Sequence, residues 1–169
     1  MKIGFFVILF FIIESHVLAS GSKIQGAPDS AKAFTLTIFE FNHAERLMKG
    51  AMKYIVTDTS IKVLNIPIFE EKGTIIFSKS LSKFTKSIAQ ISIANLDSLK
   101  DLYFNYCIMI TSGNEYSLTF KNSSTSKSIS LHDYYLKPIE DIIELVNKNL
   151  PEKYKIKYLT KETKQDCEL

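Results

Sequence analysis

Of the three histidines in this sequence, His43 and His132 lie beyond the amino-terminal segment, and they are the side chains best suited to move a proton near neutral pH. His132 is followed by Asp133, with Ser130 two residues before it. An imidazole, a carboxylate that orients it and a hydroxyl that it activates are the parts of a hydrolytic triad. Adjacency argues against this reading, because successive side chains of a strand point to opposite faces and triads are assembled from separate segments. The plainer reading has Asp133 satisfying backbone amides ahead of a helix and His132 as a partly buried polar residue. Glu70 and Glu71 could work with Asp133 or Glu144 as acid and base, but that chemistry needs a set separation across a cleft, which no spacing along the chain supplies. Glu140, Asp141 and Glu144 read as the solvated face of a helix. No residue is therefore assigned a catalytic role, and the chain is expected not to be an enzyme.

Metal and cofactor chemistry find equally little support. Two distant histidines and a cysteine within an apolar run give no close ligand spacing, so no metal site is expected. None of the six glycines stands in a phosphate-loop or dinucleotide pattern, so no cofactor is expected either. The formal net charge is +3, the lysines are scattered, Arg46 is the only arginine and tryptophan is absent. That composition lacks the clustered basic patch of a nucleic-acid binder. Eight tyrosines and twelve phenylalanines leave sugar stacking open. Cys107, in Tyr106-Cys107-Ile108-Met109-Ile110, reads as a small buried hydrophobe, while Cys167 lies in a polar tail. Free thiols are the expectation. A bridge between the two, closing a loop of about 60 residues, is the alternative that an exported chain permits.

The elements that must hold these groups are mostly strands. Phe34, Leu36 and Ile38 alternate with Thr35 and Thr37, the period of a strand with one buried face. Residues 52–57 and 60–66 are β-rich runs around Asp58-Thr59, which predicts a hairpin, and Pro67 ends the pairing. Further strands are predicted over 73–78, 87–93, 103–111, 115–121 and 128–131. Gly113 is expected to close a tight hairpin between the third and fourth of these. Asn95 is placed to cap a short helix reaching Leu102. The clearest helix signal runs from Lys137 to Asn149: Pro138 stands at its start, and Ile139, Ile142, Ile143, Val146 and Leu150 form one apolar stripe. Residues 153–158 alternate lysine with tyrosine and isoleucine, as in a terminal edge strand. The expected fold is α+β: a curved, mostly antiparallel sheet of roughly six to eight strands packed against the C-terminal amphipathic helix.

The first nineteen residues form an address signal. Lys2 is followed by the apolar run Phe5 to Ile13, and Val17-Leu18-Ala19 offers a cleavage site. The run is too short to cross a bilayer, which takes about 20 helical residues. This predicts a signal peptide over 1–19, a flexible spacer over 20–32, a single domain over 33–160 and a polar tail over 161–169. The product is expected to be secreted or periplasmic, with no membrane-spanning segment after processing. Asn122-Ser123-Ser124 matches the glycosylation acceptor pattern.

The stretch from Ser128 to Tyr158, ISLHDYY followed by KPIEDIIELVNKNLPEKYKIKY, resembles the C-terminal part of small exported proteins of unknown function from Gram-negative bacteria. The resemblance covers under a quarter of the chain. It implies an exported hairpin-and-helix domain and carries no catalytic assignment. The lipid-attachment cysteine such proteins often bear after the signal is missing here. The functional expectation is an exported, non-enzymatic domain that binds a protein, peptide or surface glycan partner outside the cell or in the envelope. A small secreted hydrolase using His132 or His43, or a structural envelope component, are the alternatives.

Overall fold

Period-two alternation of apolar and polar residues dominates the chain after Ala33, and a sheet is what it builds. The computed structural model describes residues 34–43, 50–70, 72–81, 96–108 and 113–161. The expected leader and spacer, the strand over 87–93 and nearly all of the polar tail lie outside the described residues. Seven strands are described: β1 (Phe34–Asn42), β2 (Ala51–Thr57), β3 (Ser60–Ile66), β4 (Thr74–Ser80), β5 (Leu102–Phe104), β6 (Asn114–Asn122) and β7 (Ser126–His132). They form one open sheet in the order β4-β3-β2-β1-β6-β7-β5. Every pairing is antiparallel except β5 with β7, which is parallel. Helix α1 (Lys137–Asn147) follows β7, and a 3-10 turn covers Glu152–Tyr154. The protein is thus α+β with the sheet dominant.

Side-chain oxygens close two of the hairpin turns. Thr57 Oγ1 accepts from the Ser60 amide at 3.1 Å between β2 and β3. Asn122 Oδ1 accepts from the Thr125 amide at 2.7 Å and the Ser124 amide at 2.9 Å between β6 and β7. Such bonds replace water on turn amides and favour the local bend. On one sheet face Leu36, Ile38, Val56, Ile61, Val63, Leu118 and Ile129 are buried, and they share a hydrophobic cluster with Ile139, Ile142, Ile143 and Val146 of α1. The helix has Lys137 at its start, bonded to Glu140 and Asp141 at 2.7 and 2.9 Å, and its first turn has no side-chain cap.

Four expectations need correction. Leu96 ends a helical segment whose start, with the expected cap Asn95, lies outside the described residues; residues 97–99 turn, and Leu102 opens a strand where the helix was expected to end. Of the strand expected over 103–111, the described residues show only the β5 portion, residues 105–108 leave the ladder, and 109–111 lie outside the described residues. Strand β5 does not make a hairpin with β6 but lies parallel to β7, where the Asp101 carbonyl accepts from the Ser130 amide and the Asn105 amide donates to the His132 carbonyl. Helix α1 ends at Asn147, two residues early. Residues 155–160, despite their alternation, form no ladder. Their backbone is held instead by side chains: Asn147 accepts from the Ile156 amide at 2.8 Å and donates to its carbonyl at 3.0 Å. Tyr116 donates to the Lys157 carbonyl and Tyr158 to the Tyr134 carbonyl. Ile156 enters the core while Lys155 and Lys157 stay exposed, so the pattern of faces survives without the strand.

Candidate functional site

Strand register, set by the buried face, also fixes what meets on the other face. Phe41 of β1 is the partner of Glu115 of β6, Glu115 of His132 of β7, and His132 of Phe104 of β5. Cross-strand partners share a face. These four residues therefore make one row across four strands, and their neighbours Tyr116 and Leu131 point into the core. His43 joins the row just past the end of β1, where its amide donates to the Gly113 carbonyl at 2.9 Å.

The row is a ladder of rings. Phe39 and Phe41 lie 6.3 Å apart, His43 sets its edge against Phe41 at 4.7 Å, and the two imidazoles are 5.5 Å apart. Phe104 lies flat on His132 at 4.5 Å and 8°, and Tyr106 follows at 5.0 Å. Between the rings stand the polar atoms. His43 Nε2 is 3.3 Å from Glu115 Oε2. The approach lacks hydrogen-bond alignment, so that nitrogen is shielded from solvent without a partner, as is His132 Nε2. One ligand atom from each of His43, Glu115 and His132 lies within 4.8 Å of the others. Asp133 Oδ2, 4.0 Å from His132 Nε2, is also buried without a partner.

Asp133 satisfies a backbone amide, as expected, but across the sheet rather than ahead of α1. Its φ is +45°, which breaks the strand pleat and lets two adjacent side chains approach each other. Its carboxylate does not cap α1. Oδ1 accepts from the Asn114 amide at 2.9 Å, its own amide donates to the Asn114 carbonyl at 2.8 Å, and its carbonyl accepts from the buried Asn105 side chain at 3.1 Å. Asn42 in turn donates to Asn114 Oδ1 at 2.7 Å. The ends of β1, β5, β6 and β7 are thereby tied together around the two histidines.

Beside this ladder lies an open groove of about 330 Å³, lined by Phe39, Phe41, Ala51 and the turn from Ile66 to Glu70. In that turn the Glu70 amide donates to the Pro67 carbonyl at 3.3 Å, and Phe69 takes a φ of +66° with 98% of its surface exposed. A bulky residue rarely adopts that backbone conformation.

The residues considered from sequence thus fall apart in space. His43 and His132 meet, with Asp133 beside them; Ser130 stays in register with Ser117 inside the sheet. Glu70 lines the groove, and Glu71 lies outside the described residues. Glu140 accepts from Lys137 and from Tyr135, and those hydrogen bonds, Lys137 foremost, hold its carboxyl below the ordinary 4.5. Glu115 escaped notice because nothing local marks it. Cys107 is disulfide-bonded rather than a free thiol, and the one other cysteine of the sequence, Cys167, lies outside the described residues. No protein-family model matches the chain, and no curated protein matches it.

Proposed function

We propose that the protein is an exported, non-enzymatic binding domain that takes an apolar segment of a protein or peptide partner at the end of its sheet. The observation that carries this reading is Phe69. A fully displayed aromatic ring in left-handed backbone costs of order 1–2 kcal/mol for the φ alone and buries nothing in return within the chain. Strain of this kind persists at sites that function requires. The groove beside it, with Phe39 and Phe41 at its base, supplies the matching apolar surface. In this reading the apolar stripe of α1 packs on the opposite, core-facing side of a curved sheet and leaves the groove open. Among the described residues no helix is long and apolar enough to cross a membrane. The export signal read in residues 1–19 supports a partner in the envelope or outside the cell.

Phe69→Gly tests it. Glycine accepts the positive φ, so the variant should be as stable as the parent or more stable by about 1 kcal/mol, measured by chemical denaturation. In pull-downs from the native envelope or secreted fraction, a specific species should be recovered with the parent and lost with the variant. Equal recovery by both, or nothing specific with either, overturns the proposal.

A second reading is favoured by the meeting of His43, His132 and Asp133, which are the base and orienting groups of a small hydrolase. Hydrolysis of a chromogenic ester by the parent, lost in His132→Ala, would favour it over the binding reading.

A further inference from the structure

We infer that His43, Glu115 and His132 form a binding site for a first-row divalent transition metal, of which zinc is the representative. This goes beyond the partner-binding reading and does not depend on it. The donor set comprises two imidazole nitrogens and one carboxylate oxygen, a combination suited to zinc and its neighbours rather than to calcium or magnesium, which prefer oxygen ligands. Both histidine Nε2 atoms are withdrawn from solvent and bonded to nothing. A buried polar atom left unsatisfied costs about 1–3 kcal/mol, and a cation accepting both lone pairs removes that cost.

The geometry is close to what a metal requires. Zinc held at about 2.0–2.1 Å by tetrahedral ligands places any two of them about 3.3 Å apart. His43 Nε2 and Glu115 Oε2 already stand at 3.3 Å, and the whole set lies within 4.8 Å, so a modest contraction completes it. The scaffold resists a larger change: His132 is clamped flat on Phe104, His43 is braced against Phe41, and Glu115 and His132 are register partners of one ladder. Three protein donors leave a coordination position open for water. The unpartnered Asp133 Oδ2, near His132, is a hydrogen-bond acceptor for such a water. An ordinary ion pair between protonated His43 and Glu115 is the competing account of the same atoms, and it makes no use of His132.

Chelator-treated protein titrated with cobalt(II) chloride should develop visible ligand-field absorption saturating at one equivalent, and zinc chloride should displace the cobalt. Glu115 is half-exposed, so Glu115→Gln leaves the fold intact, which far-ultraviolet circular dichroism verifies. Both Glu115→Gln and His43→Ala should weaken zinc binding at least ~10-fold by titration calorimetry. Glu144→Gln, the same charge change on the exposed face of α1, should leave it unchanged. Absence of saturable cobalt binding overturns the site, as does binding that Glu115→Gln and His43→Ala leave untouched.

Discussion

At the scale of single residues, Gly113 and Asp133 are a matched pair. Gly113 has a φ of +100°, and a Cβ there would lie 1.4 Å from Asp133 Oδ2, inside the atom's own radius. The glycine therefore does two things: it reverses the chain into β6 and leaves room for the carboxylate that bonds the Asn114 amide. Gly113→Ala should destabilise the protein by about 2 kcal/mol or more, since it adds left-handed strain and displaces Asp133 from its part-buried hydrogen bond to the Asn114 amide. Urea denaturation checks this; a change within ~0.5 kcal/mol would mean that the turn relaxes freely. Glycine at this position was legible in the sequence as a turn. Its neighbour across space was not, because the two residues meet only once β6 and β7 are paired.

At the scale of elements, burial sorts the strands and the helix by how much they hold. Ile142 of α1 is 1% exposed within the common core, whereas Ile75 on the edge strand β4 is 54% exposed. Ile142→Ala should cost about 2–5 kcal/mol, through lost transfer energy and a residual cavity, and Ile75→Ala should stay within about 0.5 kcal/mol. Comparable losses from both would show that the β4 edge is covered. That edge is already guarded: the register shifts between Val63 and Leu64 of its partner β3, and Tyr154 donates to the Ile76 carbonyl at 3.1 Å. A bulge and an occupied carbonyl both discourage pairing with another chain. The helix and the hairpin at Asp58-Thr59 follow from signals a few residues long. The parallel placement of β5 and the irregular path of residues 155–160 follow from Asn105 and Asn147, asparagines whose partners are distant or whose role as a surrogate strand no local pattern announces.

For the whole molecule, two global properties can be measured. Burial, reinforced for Tyr54 and Tyr116 by the Glu40 carboxylate, raises the hydroxyls of Tyr54, Tyr116 and Tyr158 well above their ordinary 10.0. A raised folded-state value means that the unfolded chain loses its protons first. The stabilisation is fully present below pH 10.0 and is lost as pH rises above it. Alkaline titration should therefore show these tyrosines ionising only together with loss of ellipticity; a smooth early titration of all the tyrosines would contradict it. The disulfide at Cys107 is the second property. A bridge to Cys167, the other cysteine of the sequence, would close a loop of about 60 residues, and its reduction should then lower stability by about 4 kcal/mol in the chain-entropy account. Mass spectrometry of the unreduced protein should find it lighter than the reduced form by two hydrogens; equal masses would exclude the bridge.

What the sequence determined by itself was the local grammar: which residues alternate, where the chain turns, and which stripe of α1 is apolar. Those are properties of neighbours within one turn or one hairpin, so composition and spacing reveal them. Tertiary structure alone decided that Phe41, Glu115, His132 and Phe104 stand in one row, with His43 at its end. That row depends on the pairings of β1 with β6, β6 with β7, and β5 with β7, and a slip of one residue in any of them would turn its side chains to the other face. Register is chosen by the cooperative burial of the opposite face, so the convergence of two histidines and a glutamate is a consequence of packing and has no counterpart in the order of residues along the chain.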